Sequence, residues 1–157
     1  MLESTLVALG LGSNLGDRAA TLERAVEAVA NLPLTSLVAV SAFIETEPVG
    51  PVSQPPFLNA AALVRTLLDP LTLLAFLHDI ERDAGRRRSE EARWGPRTLD
   101  LDIITFGDRV MVARTLTLPH PRAHERRFVL QPLASIAPDL MVPGRATVQQ
   151  LLAASGV

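Results

Sequence analysis

The sequence predicts an α+β domain of ferredoxin-like form: an antiparallel sheet with helices on one face and additional elements at the C-terminal end. Three observations carry this expectation. Leu99-Asp100-Leu101-Asp102-Ile103 alternates apolar and acidic residues, the period-two mark of a strand with one face on a core. Helix starts at Asp17 and at Asp69-Pro70 each follow an apolar, strand-like run. Through Phe106 the elements run β-α-β-β-α-β, the split β-α-β motif, with right-handed crossovers.

The elements follow in order. Leu6 to Leu11 is an apolar run and reads as the first strand. Gly10-Leu11-Gly12-Ser13-Asn14-Leu15-Gly16 follows it, without the G-x-G-x-x-G spacing of a dinucleotide site, so its glycines read as tight backbone and close packing. The first helix runs from the cap Asp17 to Asn31 with Leu22, Val26 and Val29 as its stripe, and Pro33 closes it. Leu37 to Ile44 reads as strand two. Glu47 to Pro56 holds four prolines and reads as a loop of the kind that carries function. Phe57 to Leu67 is strand three, with Asn59 near its start in need of a polar partner. The second helix buries Leu71, Leu74, Leu77 and Ile80, with Leu73 and Phe76 widening the stripe, and Gly85 ends it. The acidic strand spans Thr98 to Phe106, and Gly107-Asp108 is a turn. His120 lies between Pro119 and Pro121, which hold its backbone extended. There it reads as a donor or proton carrier near neutral pH. Arg122 to Ala137 reads as helical, with Pro132 inside; Asp139 to Val142 is a short strand, and Thr147 to Ala154 a last helix.

Composition narrows the chemistry. A length of 157 residues, 48% hydrophobic and 20% charged, suits one globular domain spanning 1–157. No apolar run reaches the roughly 18 residues of a membrane helix, and the N-terminus lacks a secretory pattern, so a cytoplasmic location is expected. All 15 basic residues are Arg, and there is no Cys or Tyr. That excludes Schiff-base lysines, a P-loop lysine, thiolate nucleophiles and a disulfide framework. The net charge of −2 argues against broad nucleic-acid binding.

On the acidic strand, Asp100 and Asp102 point the same way and repel. A cation between them is expected, and Mg²⁺ fits best, because it takes oxygen ligands and keeps waters and substrate phosphates. Just upstream, Arg86, Arg87, Arg88, Arg93 and Arg97 face only Glu90 and Glu91, a local net charge of +3. Arg forks match phosphate oxygens, so the combination reads as a metal–polyphosphate site. The plainer alternative is a solvated strand face paired with the arginines. The whole run Arg93-Trp94-Gly95-Pro96-Arg97-Thr98-Leu99-Asp100-Leu101-Asp102-Ile103-Ile104 resembles the signature of the 6-hydroxymethyl-7,8-dihydropterin pyrophosphokinase family of folate biosynthesis.

The resemblance implies pyrophosphoryl transfer: the pterin hydroxymethyl oxygen attacks the β-phosphorus of ATP, and AMP leaves. It implies two Mg²⁺ ions on Asp100 and Asp102, with Arg86 and Arg97 as the phosphate contacts that join the two aspartates in catalysis. The nucleotide positions of the family fall on Glu81, Arg86, Arg88, Arg97, Thr117 and His120, with Arg126 touching nucleotide or pterin. The pterin positions fall on Thr46, Val49, Phe57, Asn59, Trp94, Asp100 and Phe128, a set of aromatic faces plus an amide that suits a flat heterocycle. The partners expected are ATP and the pterin, with no nucleic acid and no membrane, and a monomer. The Glu47–Pro56 and Gly85–Arg97 loops are expected to order on binding both substrates. Three positions depart from the family pattern: Ser89 or Glu90 replaces a loop lysine, Thr115 replaces an arginine with Arg114 one step away, and Glu47 replaces a proline. The rival readings are a metal-dependent phosphohydrolase using the same aspartates and a non-enzymatic ligand-binding module.

Overall fold

The computed structural model describes residues 3–47, 50–51, 53–85 and 98–155. The first strand, β1, is Thr5–Ser13 and leads into helix α1, Arg18–Ala30. The Asp17 side chain caps α1 by accepting the Ala20 N–H at 3.1 Å, a contact worth about 1 kcal/mol. Strand β2 is Thr35–Val40, β3 is Ile44–Thr46 and β4 is Phe57–Thr66. Helix α2, Pro70–Asp83, starts on the cap Asp69, whose carboxylate accepts the Thr72 N–H at 2.9 Å. It ends before Gly85, which takes the left-handed φ of +92°.

The expected second strand is interrupted. Ser41 donates its N–H to the Ala61 carbonyl, and its Oγ accepts the Ala61 N–H at 2.8 Å. A side-chain oxygen thus stands in for a backbone carbonyl, and the chain bends before β3 resumes pairing with β4. The stripe of α2 departs from expectation at one position: Leu73, Leu74 and Leu77 are buried, while Leu71 is exposed.

Strand β5, Asp100–Phe106, completes a sheet ordered β2-β4-β1-β5, with β3 also on β4 and all these pairs antiparallel. Beyond it, β6 (Met111–Val112) and β7 (Thr117–Leu118) form a small hairpin that no sequence pattern announced. The expected helix over 122–137 is two pieces, a 3-10 turn Ala123–Glu125 and helix α3, Arg127–Ile136. The expected strand at 139–142 is a single bridge, Met141 to Thr147. Helix α4, Val148–Ala154, carries a full capping box of Thr147 and Gln150.

The sheet has a core on each side. Leu22, Ala25 and Val29 of α1 and Leu73 and Leu77 of α2 pack on Val7, Leu9, Val64 and Leu101. On the other side Leu130 and Leu133 of α3 and Val148 of α4 pack on Ala8, Ala61, Leu63 and Ile104. The C-terminal elements thus form a third layer over part of the second face. The acidic residues of β5 point to the part of that face that these helices leave open among the described residues.

Candidate active site

Register places the parts. In β1–β5 pairing Asp100 lies opposite Gly12 and Asp102 opposite Gly10; in β1–β4 pairing Gly12 lies opposite Asn59, and in β3–β4 pairing Thr46 lies opposite Phe57. Paired residues of adjacent strands share a face. Asp100, Asp102, Asn59, Phe57 and Thr46 therefore project together, separated by two residues with no side chain. They line one cavity, which Arg126 and Phe128, at the start of α3, close from above.

The glycines make the room. A Cβ on Gly12 would lie 2.9 Å from Asn59 Oδ1. Asn59 is 7% exposed, and its Nδ2 donates to Thr46 Oγ1 in a short hydrogen bond. Thr46 is thus the partner the sequence demanded for this amide, and it leaves Oδ1 turned toward Gly12. Arg126 stands over the Phe128 ring at 5.6 Å from its centroid, within cation–π range. After β1, Asn14 Nδ2 donates to Gln54 Oε1 at 2.7 Å and to the Pro55 carbonyl at 3.0 Å, and Arg18 Nη1 donates to the Pro56 carbonyl at 2.9 Å. The turn after β1 thereby holds the segment that leads into Phe57.

A second cavity lies along the outer edge of β5, between α2 and the β6–β7 hairpin. Thr117 and His120 line it, with His78, Arg114 and Thr115. Asp102 lines both cavities; Asp100 lines only the first.

Burial, reinforced by the Arg126 guanidinium, pushes the His120 imidazole down from 6.5 to about 4. Its Nδ1 accepts the Arg122 N–H at 3.1 Å, so the neutral ring carries its proton on Nε2. Near neutral pH the His120 ring is thus uncharged, with its Nε2–H as a hydrogen-bond donor. Between about pH 6.5 and 4 the unfolded chain binds a proton that the folded chain refuses. Stability is therefore fully present above 6.5 and falls as pH drops through that window, by up to about 3 kcal/mol at 1.36 kcal/mol per pKa unit. Urea unfolding at about pH 7 and about pH 4 should show a smaller loss for His120→Asn than for the wild type. Equal losses would assign the effect to other groups.

Glu81 is not brought to either cavity. It is buried beneath β5, where its Oε2 accepts the Leu101 N–H at 2.8 Å. Val49, Arg86, Arg88, Trp94 and Arg97 lie outside the described residues, as does most of the arginine-rich loop. Sequence reasoning passed over Asn14, Arg18, His78 and the site role of Gly10 and Gly12. For the glycines a signal existed, because their spacing of two in a strand sets both on one face.

The aspartate pair suits a hard divalent cation. Two half-buried carboxylates share one face, and among the described residues no group of three or more His, Cys, Asp or Glu forms around them. Two carboxylates leave the remaining octahedral positions of a Mg²⁺ to water and phosphate.

Comparison with known proteins gives one consistent result. The family model of 7,8-dihydro-6-hydroxymethylpterin-pyrophosphokinase (HPPK) matches residues 8–138. A 2-amino-4-hydroxy-6-hydroxymethyldihydropteridine pyrophosphokinase of Pseudomonas aeruginosa is 46% identical over 148 residues, 94% of this chain and 90% of that protein. The same-named protein of Methylorubrum extorquens is 48% identical over 145 residues, 92% of this chain and 90% of that one. Among solved structures, Plasmodium falciparum HPPK-DHPS with STZ-DHP superposes with a TM-score of 0.76 at 14% identity. It covers 97% of this chain, which spans 43% of that longer one, and it speaks for the fold alone.

Proposed function

Because this chain belongs to the 7,8-dihydro-6-hydroxymethylpterin-pyrophosphokinase family, and is therefore an ATP-dependent diphosphokinase of folate biosynthesis, we propose that the pterin occupies the first cavity and ATP the second. The observation that carries this division is Asp102, the acidic residue that borders both. Pyrophosphoryl transfer needs the acceptor hydroxyl and the polyphosphate to meet at one point, with charge neutralised there. The first cavity offers the rings of Phe57 and Phe128 to a flat heterocycle, and the Asn59 amide to its polar edge. The second offers the His120 Nε2–H, the Thr117 hydroxyl and the Arg114 guanidinium to a nucleotide.

In this reading Asp100 and Asp102 hold Mg²⁺, two ions in all, which when bound neutralises phosphate charge and orients the reacting oxygens. Arg126 reaches the cavity from above and faces the acceptor side. Arg86, Arg88 and Arg97 bind phosphate, and Trp94 and Val49 complete the pterin side, as the family signature implies. The pterin hydroxymethyl oxygen attacks the β-phosphorus and AMP leaves. The sheet order, with a helix after β1 and after β4, supports the ferredoxin-like assignment. One catalytic domain, a monomer and a cytoplasmic location complete the reading; among the described residues no helix is long and apolar enough to cross a membrane.

The test is AMP release from ATP and Mg²⁺, which should require 6-hydroxymethyl-7,8-dihydropterin. Release of ADP, or AMP release that ignores the pterin, would overturn the division of the cavities. Gly12→Ala probes the floor of the first cavity. Its methyl group would displace the Asn59 amide, so pterin affinity should drop about tenfold, roughly 1.4 kcal/mol, with ATP affinity unchanged. Isothermal titration with each ligand reads both values, and a matched loss of ATP affinity would contradict the assignment.

A further inference from the structure

Among the described residues Glu81 is the one charged side chain in the buried interior, 1% exposed. It follows Leu74 and Leu77 on the inner stripe of α2 and takes the place an apolar residue would fill at lower cost. Among the contacts of its carboxylate is one to the backbone of β5. Oε2 accepts the N–H of Leu101 at 2.8 Å, and Leu101 is the residue between Asp100 and Asp102.

The topology gives that contact its meaning. β5 ends the strand order β2-β4-β1-β5. On such an edge every second N–H points away from the sheet and has no strand to bond. The Leu101 N–H is of that kind, and Glu81 replaces the missing strand. The alternation then turns the backbone of Asp100 and Asp102 inward, toward their partners Gly12 and Gly10 on β1. The acidic pair is thus held from inside by β1 and from outside by Glu81, at the residue between them. Glu81 itself lines neither cavity.

We infer that Glu81 is a positioning residue, which sets the spacing and direction of the Asp100 and Asp102 carboxylates through the Leu101 backbone. The inference rests on the reading of that pair as the Mg²⁺ site. Manganese, which substitutes for magnesium and is visible by electron paramagnetic resonance, serves as the probe with a non-hydrolysable ATP analogue. Glu81→Gln keeps an oxygen acceptor; Glu81→Met keeps the volume and loses the acceptor. Manganese affinity should stay within about threefold of wild type in Glu81→Gln and fall about tenfold or more in Glu81→Met. Wild-type affinity in Glu81→Met overturns the positioning role while leaving the metal site intact. Absence of manganese binding to the wild type removes the metal reading and this inference with it. Hydrogen exchange at the Leu101 amide decides the matter should Glu81→Met fail to fold. Slow exchange in wild type and Glu81→Gln supports the contact, and exchange as fast as an open amide in the wild type overturns it.

Discussion

Asp102→Ala should lower turnover by about a thousandfold or more and leave the protein folded. The residue lines both cavities and is half-buried on the face that β1 leaves clear. Removing a metal-holding carboxylate at the meeting point of two substrates takes away several kcal/mol of charge stabilisation, and each 1.36 kcal/mol is a factor of ten. The fold should survive, because Asp102 belongs to neither core, and removing it relieves repulsion with Asp100. Asp100 borders only the first cavity, so Asp100→Ala should weaken the pterin side more than the nucleotide side. AMP release at saturating Mg²⁺, read beside circular dichroism, measures the effect. Activity within a few-fold of wild type would end the metal assignment.

Asn59→Ala should cost the pterin about ten- to a hundredfold in affinity and the nucleotide almost nothing. A buried amide aimed at a polar ligand edge is worth about 1–3 kcal/mol, because its loss leaves ligand N–H groups unpaired in a closed site. Thr46 fixes the amide through its Nδ2, which leaves Oδ1 as the acceptor. Thr46→Val should therefore reproduce part of the loss without touching Asn59. Titrating each ligand separately distinguishes this from a folding defect, which would weaken both. Equal losses would show that Asn59 holds β3 to β4 and little else.

Much of this arrangement was legible in the residues, for physical reasons. The caps at Asp17 and Asp69 announce themselves because a short polar side chain before an apolar stripe has few other uses. The acidic pair was legible because a period of two admits only one geometry. The break after β2 was hidden, since an apolar run cannot show that a serine hydroxyl will replace a carbonyl in the ladder. The two-residue strands of the hairpin are too short to display any period. Gly10 and Gly12 were read as packing glycines, because a residue without a side chain does not advertise which face it clears. Glu81 carried a signal of another kind: a carboxylate at helical spacing from Leu74 and Leu77 lies on a stripe that should be apolar. The charge state of His120 was not legible, because burial and the approach of Arg126 are tertiary facts.

The shared wall has a consequence for how the two ligands affect one another. Asp102 borders both cavities, so a ligand in either changes the field felt in the other. Binding around such a wall is a closed thermodynamic cycle. The factor by which magnesium nucleotide tightens the pterin must equal the factor by which the pterin tightens magnesium nucleotide. Titrations run in the two orders should agree in their product, whichever order the enzyme follows in turnover. Where that factor exceeds one, an inhibitor of the pterin side that shares it would hold ATP on the protein rather than release it, and its potency would rise with nucleotide concentration. With Asp102 replaced by alanine, both factors should contract together toward one.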